Sequence, residues 1–128
     1  MKTPTKTIVR REPYRETDKN GREVVRVPLA GGLHTATLYA EDFDRIIADG
    51  WSDQWQHVSN YRGRRYVRVC HRDGGNRRES IHRLVVDAGP GQAVMFKTDN
   101  TLDLRPSNLI VCRKKDQQRP YVTHLLYD

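Results

Sequence analysis

Apolar residues are scarce in this chain. They make up 36% of its 128 residues, and mean hydropathy is −0.84. A large core is not expected, and much of the chain is expected in surface, loop or tail. No apolar run approaches the ~18 residues of a membrane span. The N-terminal stretch MKTPTKTIVRREPYRE is basic but has no apolar segment of the signal-peptide kind. These two absences lead to the expectation of a soluble, cytoplasmic protein. Cysteine is nearly missing as well. Cys70 and Cys112 lie far apart, form no CxxC pair and have no second pair to complete a zinc site. They are expected to be reduced and buried, and they supply no metal site. Acidic residues are outnumbered, with 16 Asp+Glu against 23 Lys+Arg and a formal charge of +7. That balance, with a pI near 9.7, points to a polyanion as partner, most often nucleic acid. A basic surface that serves only solubility is the plainer alternative.

The length suits one domain with arms. Residues 1–20 are rich in charge, contain Pro4 and Pro13, and read as a basic N-terminal arm. Asn20-Gly21 ahead of the β-branched run from Glu23 to Val27 signals a turn and then a strand. Gly31-Gly32 signals another turn, and His34 to Tyr39 alternates like a second strand. In the segment from Ala40 to Trp51, Phe43, Ile46, Ile47 and Trp51 fall on one helical face. Glu41 and Asp42 suit a first turn, and Gly50 suits a stop. Trp51 and Trp55 are expected in the core. Arg65 to Arg72 reads as a strand with Val67 and Val69 on one face. Ile81 to Val86 is helix or strand by periodicity alone. Gln92 to Phe96 reads as a strand, Pro106 to Asn108 as a short helix, and Ile110 to Cys112 as extended chain. No internal repeat or low-complexity tract is present.

The segment IHRLVVDAGPGQAVMFKTDNTLDLRPSNLIVCRKKDQQR, from Ile81 to Arg119, carries two motifs. One is His82-Arg83-Leu84-Val85. The other is Leu102-Asp103-Leu104-Arg105-Pro106-Ser107-Asn108-Leu109, an order of residues that ordinary turns rarely combine. Together they resemble the HNH homing endonucleases of phages and bacteria. Upstream, PLAGG, YAEDFDRIIADGW and RYVRV look like the N-terminal half common in that group. The resemblance covers roughly residues 24–119. It implies an α+β fold, a small β-sheet with short helices followed by a ββα-metal motif. The domain would span 21–119, with 120–128 as a C-terminal tail. It also implies a site in which a His activates water, while an Asp before it and an Asn or His on the helix hold one divalent cation, Mg²⁺ or Mn²⁺. The family's Asp-His pair falls on Met95 and Phe96. A thioether is a poor ligand for a hard cation, and a phenyl ring accepts no proton. Asn108 matches the helix ligand. Loss of a general base alone costs ~10²–10⁴ in rate. The positions Met95, Phe96 and Asn108 are therefore read as vestigial, with His82 in support, and no metal or other cofactor is expected. Asp99, Asp103, His82, His71 and His57 are the groups that could stand in, though Asp103 is expected to brace the turn with Arg105.

Eight arginines lie between Arg62 and Arg83 (Arg62, Arg64, Arg65, Arg68, Arg72, Arg77, Arg78 and Arg83), opposed only by Asp73 and Glu79. The guanidinium fork donates two parallel hydrogen bonds to a phosphate. If the register holds, Arg62, Arg64, Arg68 and Arg72 share one side of an extended strand. Arg113, Lys114 and Lys115 form a second basic cluster. Three readings follow. The first is a DNA-binding protein on a degenerate HNH fold that does not cut, such as a phage regulator or defence-evasion factor acting in a bacterial cell. The second is a divergent but active Mg²⁺- or Mn²⁺-dependent endonuclease. The third is a module that inhibits a host protein through an apolar patch at Met95 and Phe96 or through the LLY tail.

Overall fold

The structure is a computed structural model that describes residues 12–60 and 62–117. Among them, the chain runs through β1 Tyr14–Thr17, β2 Glu23–Pro28, β3 Thr35–Tyr39, α1 Ala40–Ala48, β4 Gln56–Ser59 and β5 Arg65–Cys70. It continues with β6 Arg78–Ser80, α2 Ile81–Val85, β7 Gln92–Phe96, β8 Leu109–Arg113 and α3 Lys114–Gln117. The strands pair antiparallel into three small sheets, β1-β2-β3, β4-β5-β6 and β7-β8. The protein is therefore α+β, as expected.

In the first sheet the period-2 pattern sets which side chains face the shared core. Val25, Val27, Ala36 and Leu38 enter the core, while Thr35 stays in water. The Asn20-Gly21 turn is held by Asp18, whose Oδ1 accepts from the amides of Asn20 and Arg22 at 2.9 Å each. It joins β2 to a strand within the segment that composition assigns to the arm. Tyr14–Thr17 has no buried residue, so no apolar alternation marks it, and backbone pairing to β2 defines it instead. Residues 1–11 and the tail at 120–128 lie outside the described residues.

The α1 helix buries Ala40, Phe43 and Ile46, with Glu41 and Asp42 in its first turn. Gly50 ends it at φ +100°, and a Cβ there would sit 2.6 Å from the His71 ring. Only glycine fits both constraints. Trp51 then leaves the helix and bridges His71 antiparallel. Trp55 is fully buried, and its indole N–H donates to the Ser52 carbonyl at 2.8 Å. Both tryptophans are core residues, as their size suggests.

In the second sheet Val67 and Val69 face inward with no exposure. β5 ends at Cys70, two residues earlier than expected. β4 and β6 carry no signal in the sequence, because QHVS and RES have no apolar alternation. Cys70 and Cys112 are free thiols, but Cys70 is exposed and Cys112 half-buried. Cys70 lies on the outer face with Tyr66 and Arg68, which corrects the expectation that it is buried. Ile81–Val85, open between helix and strand from the sequence, is a helix.

Residues from all three sheets and from α1 and α2 share one hydrophobic cluster. The loop between β7 and β8 hangs on the first sheet. The Thr37 amide donates to Leu102 O at 2.9 Å, and the Leu104 amide donates to Thr37 O at 2.8 Å. Leu104, with no exposure, plugs the core at that point. No helix among the described residues is long and apolar enough to cross a membrane.

Candidate functional site

The first candidate centre is the β7–β8 hairpin, with α3 following it. β7 alternates so that Val94 joins the core cluster and Phe96 packs against it. Met95 points to the other side and is 9% exposed. Phe96 meets the His82 ring at 4.9 Å between centroids, and His82 in turn meets Tyr66 edge-on at 6.3 Å. Burial, with a smaller contribution from the Arg83 charge, lowers the His82 pKa from 6.5 to about 4. The ring is therefore neutral near pH 7, and its buried Nδ1 has no hydrogen-bond partner. The apolar patch expected from Met95 and Phe96 does not lie on the surface, because one side chain is buried and the other packs on the core. The LLY tail lies outside the described residues.

Asn108 is only 4% exposed. Its Nδ2 donates to Asn100 O at 3.1 Å and to Asp103 O at 3.0 Å. Its Oδ1 accepts from the Thr98 hydroxyl at 3.1 Å. Both amide hydrogens thus bind the chain that leads from β7 toward β8. The side chain braces that loop from the 3-10 turn Pro106–Asn108. Asp103 is clamped by Arg105, with Nε–Oδ1 and Nη2–Oδ2 both at 2.8 Å. Burial works against the Asp103 charge, but the hydrogen bonds from Arg105 outweigh it and lower the carboxyl pKa. The turn-bracing role expected of Asp103 is what the geometry gives.

The residues here do not fit a divalent cation. Met95 offers a soft, buried sulfur, Phe96 no ligand atom, and the Asn108 amide is engaged with the loop. Among the described residues, no three His, Cys, Asp or Glu side chains converge on a common point. The stand-in groups are dispersed. His71 is held by Asp73 at 2.9 Å and by the Asp49 carbonyl at 3.0 Å. His57 stacks edge-on with His34 at 4.9 Å and receives a hydrogen bond from Arg65 Nε at 3.4 Å. Asp99 is exposed on the loop.

A polar cleft of about 300 Å³ opens between the first sheet and this loop, lined in part by Asp18, Arg26, Thr37, Asp103 and Arg105. Its two arginines are already matched. Arg26 pairs with Glu16 at 2.7 Å and donates to the Thr37 hydroxyl at 2.9 Å, while Arg105 holds Asp103.

The basic residues form the second candidate centre, and their placement departs from the expected single line. Arg62 and Arg64 are not on the strand. They sit in the turn between β4 and β5, where Asn60 Oδ1 accepts from the Arg62 amide at 2.8 Å and the Arg64 amide at 3.0 Å. Arg65 opens β5 beside them. Arg72, Arg77 and Arg78 lie past the far end of β5, with Arg78 opposite Cys70. Arg77 is shared between Asp73, at 3.4 Å, and the Trp51 ring, at 5.3 Å. All six of these arginines are exposed. Arg68 and Arg83 hydrogen-bond within the fold. Arg68 holds Gln56 Oε1 at 3.0 Å. Arg83 caps carbonyls of the next loop, Gln92 O at 2.7 Å and Gly89 O at 3.1 Å. Arg113, Lys114 and Lys115 are exposed where β8 passes into α3, with the Lys114 amide bound to Gly91 O at 2.9 Å. The His34–His57–Arg65 cluster has no signature in the sequence. Its members are up to 31 residues apart in number, and no local pattern joins them.

At the level of class, this is an α+β protein of small antiparallel sheets. No match is found among protein-family models, curated proteins or solved structures.

Proposed function

We propose that this chain binds DNA on an HNH-like ββα scaffold that no longer cuts. The observation that carries the proposal is the pair of exposed arginine groups at the two ends of β5. Arg62, Arg64 and Arg65 are at one end, and Arg72, Arg77 and Arg78 at the other. The strand's five residue steps separate them by about 17 Å. Measured along the helix axis, that span equals the rise of roughly five base pairs. The non-cutting part is supported by the order β7, β8, α3 with a sulfur and a phenyl ring in the family's Asp-His places, and by an asparagine engaged with its own loop.

Fluorescence anisotropy with a labelled duplex tests the binding. Affinity is expected to fall steeply with salt. Replacing Arg62, Arg64 and Arg65 together by alanine is expected to reduce the log–log salt slope by about one for each phosphate no longer neutralised. Binding that ignores salt, or a triple variant with an unchanged slope, would overturn the proposal. Supercoiled plasmid incubated with Mg²⁺ or Mn²⁺ is expected to stay intact, and nicking by the purified protein would overturn the non-cutting part.

A further inference from the structure

Leu33 is 85% exposed, the most exposed large apolar residue among those described. It stands at the tip of the turn between β2 and β3, and that tip is fixed from both sides. Gly31 and Gly32 take φ +96° and +74°, which lets the chain reverse tightly. The Gly32 amide donates to Leu29 O at 3.0 Å, the Leu29 amide to His34 O at 2.9 Å, and the Ala30 amide to Trp55 O at 3.1 Å. Leu29 and Trp55 themselves have no exposure. Leu33 is thus an apolar side chain held out in water on a turn anchored to the core.

Its surroundings are basic. His34 packs on His57 at 4.9 Å, and His57 is bound by Arg65 at 3.4 Å. Arg62 and Arg64 lie in the turn that precedes Arg65. The sequence places no Asp or Glu from Pro28 to Ala40, or from Gln54 to Arg72. An apolar point linked through His34 and His57 to Arg65, with no carboxylate on either contributing segment, is complementary to a polyanion with an apolar interior. A duplex has that construction, with phosphates outside and stacked bases within.

Resting on the DNA-binding reading above, we infer that Leu33 is a wedge that enters a base step while Arg62, Arg64 and Arg65 hold the flanking phosphates, so that the bound duplex is kinked. Apolar side chains inserted from the minor groove unstack a step and bend DNA in this way. The kink costs least where stacking is already broken, so a duplex with a central mismatch should be the preferred ligand.

The test uses the full chain and end-labelled duplexes, fully paired or with one central mismatch, read by anisotropy for affinity and by energy transfer for end-to-end distance. The wild type is expected to shorten the end-to-end distance and to favour the mismatched duplex by about tenfold. Leu33→Ser is expected to bind the paired duplex within about threefold of wild type but to lose both the shortening and the mismatch preference. An unchanged unfolding midpoint shows that the variant folds. Binding without bending, or equal bending by Leu33→Ser, would overturn the wedge and leave the DNA-binding reading standing. No binding to either duplex would overturn both. Capture of the protein by anionic phosphatidylserine vesicles, dependent on Leu33 and with the duplex left straight, would also overturn the wedge.

Discussion

Replacing Asn108 by alanine separates a loop brace from a remnant metal ligand. The substitution removes three hydrogen bonds, to Asn100 O, Asp103 O and the Thr98 hydroxyl, from a side chain that is almost fully buried. At about 1 kcal/mol net for each bond, the loss is about 3 kcal/mol. For a domain of this size that lowers the melting temperature by roughly 15 °C. Urea denaturation followed by the fluorescence of the buried Trp51 and Trp55 measures it, and the midpoint should fall without a change in m. Asn108→Asp sharpens the test. It keeps the acceptor for Thr98 but turns a carboxylate oxygen toward two carbonyl oxygens, so at pH 7 it should cost ~1–2 kcal/mol more than alanine. The introduced carboxyl would have a raised pKa in the fold. Relative to wild type at each pH, the stability of Asn108→Asp should be highest below the unfolded value near ~3.9 and should fall as pH rises through the folded value. Neither variant should respond to EDTA. An Asn108→Ala protein within about 0.5 kcal/mol of wild type, or a loss that appears only when divalent cations are present, would refute the brace.

Two further perturbations follow from the geometry. His82 has its pKa lowered to about 4, below the unfolded value near ~6.5, so its contribution is complete above ~6.5 and drains away as pH falls toward 4. The full loss is about 3 kcal/mol. His82→Phe should flatten the stability profile over that window, and an unchanged slope in urea midpoints from pH 7 to pH 4 would count against a buried neutral ring. Gly50→Ala sets a methyl against the His71 ring at φ +100° and should cost about 2–4 kcal/mol. In a His71→Ala background only the backbone strain remains, about 1 kcal/mol. Equal costs in the two backgrounds, measured by thermal melts, would show that the ring is not the obstacle.

Local order was legible in the sequence. The alternation of Val25, Val27, Ala36 and Leu38, the one-sided apolar face of α1, the stop at Gly50 and the pairing of Asp103 with Arg105 are all short-range consequences of side-chain spacing and turn chemistry. Pairing between polar segments was not legible. Tyr14–Thr17, Gln56–Ser59 and Arg78–Ser80 become strands because a neighbour presents free backbone groups, and backbone hydrogen bonds leave no mark in residue type. The same limit governs function. Composition fixed the excess positive charge, and motif order suggested where a catalytic centre would lie. Tertiary structure decided what those residues do, because contact between distant segments sets burial and partners. It packed Phe96 on the core beside His82, engaged Asn108 with its own loop, and spread the arginines to the two ends of one strand. It also brought Leu33, His34, His57 and Arg65 to one end of the molecule, a grouping that depends on how two hairpins dock and on no spacing within either.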